Sequence, residues 1–86
     1  MELEKLRIFV AVAEHGSFSR GARTLYISHS TTSRAVAALE EELGLQLLER
    51  HNRILGLTSA GQVLLEEARA LLRQADAAAD RVRAAK

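Results

Sequence analysis

Residues 17–44 read SFSRGARTLYISHSTTSRAVAALEEELG and carry the signals of two helices joined by a tight turn. Ser17 is a good N-cap for the first helix, which we expect to run from about Phe18 to Leu25. Ser28 can cap the second helix, which is expected to end at Gly44 because glycine readily adopts the left-handed conformation that ends helices. Two helices separated by three or four residues, the first of them short, are typical of a helix-turn-helix.

An amphipathic helix is expected to precede this pair. Apolar residues recur there at helical steps, and they are Leu3, Leu6, Phe9, Val10 and Ala13. Gly16 is expected to end this helix after His15. Gly21 lies in the middle of the next helix, which it weakens, so we expect another helix to approach closely there. In the third helix, Thr32, Val36, Leu39 and Leu43 are expected to face the core.

The apolar period changes after Gly44. Two short apolar runs flank a polar tip at residues 51–53 (HNR), which predicts a small β-hairpin, the wing. The alternative is that residues 46–48 are irregular. Thr58 is expected to cap the last helix, which continues to the end of the chain over about 40 Å at 1.5 Å per residue.

Apolar residues on the last helix alternate at steps of four and three, which is a heptad seam, and they are Leu64, Ala68, Leu71, Ala75, Ala78, Val82 and Ala85. So long a helix cannot bury its whole stripe on so small a domain, and we expect a partner helix to cover it. The alternative is a solvated, alanine-driven helix that frays. The pattern continues to Lys86 with no stop signal, from which we expect a longer protein.

Composition limits the classes of function. The 86 residues suffice for one small core. We divide the chain into a winged helix-turn-helix unit at 1–58 and a linker or dimerisation helix at 59–86. The chain contains no cysteine, which suits a reducing cytoplasm. Neither a signal peptide nor an apolar run long enough for a membrane span is expected. The net charge of +1 does not by itself indicate a nucleic-acid partner.

The functional argument depends on residues 28–34 (SHSTTSR), at the start of the third helix. Serine and threonine are mediocre helix formers because their hydroxyls compete for backbone groups. Their concentration here therefore indicates that these residues serve a purpose other than helix stability. A helix whose N-terminal end enters the major groove of DNA benefits from them, because small hydroxyl side chains allow close approach and bond to phosphates and base edges. The alternative is a capping cluster on a solvated face.

We expect the outward-facing residues to have two kinds of role. Arg34 would bind a phosphate, whereas His29 and Ser30 are best placed to read bases. Arg53, at the hairpin tip, would enter the adjacent minor groove, where the negative potential attracts an arginine. Arg50 is expected to have a structural role instead, as an ion-pair partner for one of the three glutamates at residues 40–42.

No pattern of catalysis is visible. Adjacent glutamates at residues 40–42 point in different directions on a helix, so we interpret them as a solvated helix end. The histidines are scattered and no acidic cluster accompanies them, so neither a metal nor a cofactor is expected, and the chain is not expected to be an enzyme. The rival hypothesis is a protein-interaction module whose functional surface is the alanine-rich last helix.

Six segments carry a resemblance to a known family. In order they are 6–14 (LRIFVAVAE), 16–19 (GSFS), the stretch ending in Ser33 and Arg34, 39–44 (LEEELG), 47–50 (LLER) and 57–61 (LTSAG). With these six segments in this order, the sequence resembles the N-terminal DNA-binding domain of LysR-type transcriptional regulators. The resemblance covers essentially the whole chain. The sequence departs from the family at His29, where glutamine is common, and at Ser30 and Thr31, where proline or Ser-Ala is common.

The resemblance implies a mainly α fold: a winged helix-turn-helix of three helices plus a small β-hairpin wing, followed by a long C-terminal dimerisation helix. It implies sequence-specific binding of double-stranded DNA at interrupted inverted repeats by a cytoplasmic homodimer. It also implies an inducer-binding domain that is missing from this chain. Carried onto this sequence, the family's DNA contacts fall on His29, Ser30, Thr31, Ser33, Arg34 and Arg53.

Overall fold

A computed structural model describes residues 1–51 and 54–86. The elements follow in the order α1 (Leu3–His15), α2 (Phe18–Thr24), α3 (His29–Leu43), β1 (Leu48–His51), β2 (Ile54–Leu57) and α4 (Ser59–Ala84). The two strands pair antiparallel, with Leu48 opposite Leu57 and His51 opposite Ile54. The expected mainly helical architecture, with three helices, a hairpin and a long last helix, is confirmed.

The helix ends follow from local capping chemistry. Ser17, Ser28 and Thr58 each accept, through the side-chain oxygen, a hydrogen bond from the backbone N–H three residues further on. Gly16 and Gly44 end α1 and α3 in the left-handed region, at φ 63° and 68°. All five of these predictions are confirmed. In the turn between α2 and α3, Tyr26 also has a positive φ of 57°.

The core lies where α1 packs against α3 and α4. Its fully buried side chains come from α1, α3, α4 and the residue before β1, and they include Leu6, Phe9, Val12, Val36, Leu39, Leu47 and Ala68. The predicted core face of α3 is confirmed at Thr32, Val36 and Leu39. It is wrong at Leu43, which is 38% exposed because the last residue of α3 lies at the edge of the bundle.

Two glycines permit close packing between elements. A Cβ at Gly21 would lie 3.0 Å from the backbone N and Cα of Val12, so α2 crosses directly over the α1 backbone, as predicted. A Cβ at Gly61 would overlap the carbonyl oxygen of Leu47. The first turn of α4 therefore rests on the backbone of the segment that precedes β1.

The residues of α4 that are buried within the chain include part of the predicted heptad seam. Leu64, Ala68 and Leu72 are buried against the core of the same chain. Leu64 and Ala68 were assigned to the pairing seam, and that assignment is wrong because the core of the same chain covers them. The large apolar side chains that α4 leaves exposed are Val63, Leu71 and Val82.

Two exposed ion pairs join α1 and α4. Arg7 bonds to Asp76 at 3.0 Å, and Arg69 bonds to Glu14 at 2.8 Å. Because these groups are solvent-exposed, each pair adds little to stability. No helix within the described residues has both the length and the apolar character that crossing a membrane requires.

Candidate nucleic-acid interface

Five of the six residues predicted to contact DNA lie in the first two turns of α3. His29, Ser30, Thr31 and Arg34 are exposed, and Ser33 is half-buried. Ser28 organises this surface, because its Oγ accepts from the Thr31 N–H at 3.1 Å and donates to the Thr31 Oγ1 at 2.8 Å. The Oγ atoms of Ser28 and Ser30 are 3.3 Å apart. The capping network thus orders the first turn while leaving its side chains accessible.

Thr32 has a different role from the hydroxyl residues around it. Its side chain is fully buried, and its Oγ1 donates to the Ser28 carbonyl at 2.9 Å. This hydroxyl is therefore satisfied inside the protein and faces the core, as predicted. The structure separates the five hydroxyl residues of the segment into two that build the helix, Ser28 and Thr32, and three that stay exposed or half-buried at the surface, Ser30, Thr31 and Ser33.

Phe18, the first residue of α2, connects the start of α3 to the hairpin. The ring centroids of Phe18 and His29 are 5.7 Å apart, with the ring planes inclined at 50°. On the same ring, the guanidinium carbon of Arg50 lies 4.9 Å from the centroid, within the range of a cation–π contact. Sequence reasoning missed this role of Phe18. The available signal was an aromatic residue directly after the N-cap of α2.

The prediction that Arg50 forms an ion pair with one of the glutamates at residues 40–42 is wrong. Among the described residues, no ion pair joins Arg50 to any of the three glutamates at residues 40–42. The Glu40 carboxylate instead accepts from the N–H groups of Leu47 and Leu48, at 2.8 and 3.4 Å. Backbone donors at the start of β1 engage this carboxylate, while the Arg50 side chain stacks on Phe18. Glu40 is therefore not part of a merely solvated helix end.

The surface beside Arg34 also includes the N-terminal end of α1. Glu2 and Lys5 lie in the same groove as Arg34, and the Lys5 ammonium donates to the Glu2 carboxylate at 2.9 Å. This hydrogen bond lowers the pKa of Glu2 and raises the pKa of Lys5. Because the two charges neutralise each other, the pair adds no net charge next to Arg34.

Arg53, the predicted minor-groove contact, lies outside the described residues. The strands that lead to it are described, and β1 begins close to α3 because Glu40 holds the backbone at Leu47 and Leu48. The role of Arg53 stays a prediction.

Three helices followed by a two-stranded antiparallel hairpin define a winged helix-turn-helix, with α2 and α3 as the helix-turn-helix pair. A family profile described as "Bacterial regulatory helix-turn-helix protein, lysR family" matches residues 3–62. The chain belongs to this family.

The relatives of the chain include transcriptional regulators. The chain is 45% identical over 85 residues to the regulator TcbR of Pseudomonas sp. (strain P51), and the match covers 99% of this chain and 29% of that protein. It is 46% identical over 85 residues to ClcR of Pseudomonas putida, with the same coverages of 99% and 29%. The chain thus spans less than a third of the length of these relatives.

Two solved structures match over nearly the whole chain. The CbnR DNA-binding domain, described as a complex with DNA, matches with a TM-score of 0.94 and 45% identity, covering 99% of this chain and 98% of that one. The BenM DNA-binding domain in complex with benA site 1 DNA matches with a TM-score of 0.95 and 41% identity, covering both chains completely. The fold and the family place the chain among regulators rather than enzymes.

Proposed function

We propose that this chain binds double-stranded DNA sequence-specifically, as the DNA-binding domain of a bacterial LysR-type transcription regulator. The observation that carries the proposal is the first two turns of α3, where an ordered set of small hydroxyls, an imidazole and a guanidinium is left accessible. Similar domains described as DNA complexes support it. Since DNA in bacteria lies in the cytoplasm, we propose that location as well.

In this function α3 lies in the major groove. Arg34 binds a phosphate, and Ser33 and Thr31 contribute further polar contacts, because hydroxyls donate to phosphate oxygens and base edges alike. His29 and Ser30, at the first turn, reach base edges. Arg53 enters the adjacent minor groove from the tip of the wing.

We further propose that residues 1–58 form the DNA-binding unit and that residues 59–86 pair two copies of the chain. An apolar groove between α3 and α4 supports pairing, since its lining includes the exposed side chains of Met1, Leu43, Leu45, Val63 and Leu71. Apolar clusters of this kind are typical of interaction sites. A two-fold dimer would bind an interrupted inverted repeat. An inducer-binding domain would follow in the whole protein.

Selection from a pool of random duplexes, sequenced after binding at two salt concentrations, tests the DNA-binding function. We expect enrichment of an interrupted inverted repeat and an affinity that falls steeply with salt, because phosphate contacts release counterions. Salt-sensitive binding without enrichment would contradict sequence specificity. No binding at either salt concentration would overturn the proposal and favour the rival interaction module.

Substitution of Arg34 and of His29 tests their separate roles on the selected duplex. Arg34→Ala should weaken binding to all sequences and lower the salt slope by about one ion. His29→Ala should relax preference at one or two base pairs and leave binding to random DNA nearly unchanged. If both variants lost affinity equally on selected and random duplexes, the division into positioning and reading residues would be wrong.

A further inference from the structure

We propose that Phe18 is a positioning residue for DNA recognition, and that its ring orients the side chains of His29 and Arg50 together. The inference rests on the proposed DNA-binding function, which it deepens. Its geometric basis is the pair of contacts on one ring: His29 at 5.7 Å between centroids, and the Arg50 guanidinium carbon at 4.9 Å from the centroid. Each partner comes from a different element, α3 and β1 respectively.

Phe18 is held firmly enough to act in this way. It is half-buried and packs against the hydrophobic core. The preceding residue, Ser17, caps α2 by accepting from the Arg20 N–H at 3.2 Å, which fixes the backbone where the ring begins. The half-buried side chain thus packs against the core and still contacts the side chains of His29 and Arg50.

His29 and Arg50 both need such support. Each is exposed, and an exposed side chain that makes no other contact loses rotamer freedom when it binds a partner. Contact with a fixed ring restricts that freedom before DNA arrives. An edge or tilted contact suits the imidazole, and a cation above the ring face suits the guanidinium. The ring therefore favours one arrangement of a base-reading group and a cation at once.

The arrangement also couples two elements that approach DNA. His29 begins α3, and Arg50 lies on β1, the first strand of the wing. Because both side chains contact the same ring, Phe18 fixes the position of a side chain on α3 relative to one on β1. We infer that Arg50, presented in this way, contacts the phosphate backbone beside the half-site read by α3.

The first test uses the free protein. Phe18→Leu removes the ring but keeps an apolar side chain, and Phe18→Tyr keeps the ring. In NMR spectra, the His29 ring-proton signals, assigned with His29→Ala, should shift in Phe18→Leu and stay near their original positions in Phe18→Tyr. Thermal unfolding of each variant establishes that it is folded. Unchanged His29 signals in folded Phe18→Leu would overturn the proposal without any use of DNA.

The second test uses the duplex selected by the natural chain, with a scrambled duplex for comparison. Phe18→Leu should reduce discrimination between the two by about tenfold, the size of one lost base contact. Phe18→Tyr should retain it. In a His29→Ala background, Phe18→Leu should cause no further loss of discrimination. An equal loss in both backgrounds would mean that Phe18 acts on the fold as a whole, which contradicts a positioning role.

The contribution through Arg50 has its own readout. Arg50→Ala should weaken binding to both duplexes and lower the salt slope by about one ion, as expected for a lost phosphate contact. Arg50→Lys, which keeps the charge, should restore part of the slope. An unchanged slope in Arg50→Ala would remove Arg50 from the proposal. If the natural chain selects no duplex at all, the DNA-binding function itself fails, while the NMR result still decides whether Phe18 orders His29.

Discussion

Three adjacent glutamates near the end of α3 show how neighbours of identical chemistry acquire different roles. Glu40 is half-buried, and its carboxylate accepts from two backbone N–H groups, those of Leu47 and Leu48. Glu41 is exposed, and Glu42 bonds to the N-terminal ammonium at 2.8 Å. Glu40 alone of the three thus links α3 to the start of the wing.

Substitution of Glu40 should destabilise the fold. Glu40→Ala removes an ionised acceptor from two backbone donors, and we expect the free energy of unfolding to fall by about 1.5–3 kcal/mol. Glu41→Ala, at the neighbouring exposed position, should change it by less than about 0.5 kcal/mol. Urea unfolding followed by circular dichroism measures both. Equal losses in the two variants would show that the Glu40 carboxylate does not stabilise the start of β1.

The junction between the hairpin and α4 depends on close backbone packing between elements. Gly61 is buried in the first turn of α4, directly against the Leu47 carbonyl. Thr58 strengthens the same junction, because its Oγ1 donates to the Gln46 carbonyl at 2.6 Å and accepts from the Gly61 N–H at 3.0 Å. The direction of α4 is thus set at its first turn by the segment before β1.

A side chain at Gly61 should disturb this junction. Gly61→Ala places a methyl group where backbone atoms already lie, and we expect a loss of about 1–3 kcal/mol in the free energy of unfolding, despite the higher helix propensity of alanine. Gly56→Ala is the matched control, since a Cβ there meets nothing within 4 Å. Thermal unfolding compares the two. A Gly61→Ala variant as stable as the natural chain would show that α4 can shift at no cost.

At the scale of the whole molecule, α4 uses one face within the chain and leaves another open. The buried face carries Leu64, Ala68 and Leu72, whereas Val63 and Leu71 stay exposed beside the apolar groove. A single chain therefore leaves apolar surface in contact with water. A second copy that covers this face would remove that surface from solvent, which is the driving force proposed for pairing.

A charge in the groove should weaken pairing. Leu71→Glu introduces a carboxylate into the apolar surface one turn after Glu67, which also lines the groove. We expect the dimer dissociation constant to rise about tenfold or more, because burying a charge beside another of the same sign is costly. Gln62→Glu adds the same charge nine residues earlier, on the opposite side of α4, and should have little effect. Sedimentation equilibrium measures both. A natural chain that stays monomeric, or equal effects of the two variants, would contradict pairing through this face.

The capping residues and the order of the elements could be predicted from the sequence. Ser17, Ser28 and Thr58 act on donors three residues away, and Gly16 ends a helix through its own backbone conformation. These interactions are local, so residue order alone determines them. The exposed start of α3 follows from the same logic, because helical periodicity assigns faces once the N-cap is known. Arg53 stays a prediction.

Tertiary structure decided the contacts between residues far apart in the chain. Arg50 stacks on Phe18 rather than pairing with a glutamate, and Gly61 lies against the Leu47 backbone. The face of α4 that packs within the chain was also misassigned, at Leu64 and Ala68. A heptad pattern marks apolar positions without saying which partner covers them. Whether the same chain or a second copy covers an apolar position of α4 depends on where α1 and the hairpin lie in space. The periodicity of one helix carries no information about those positions.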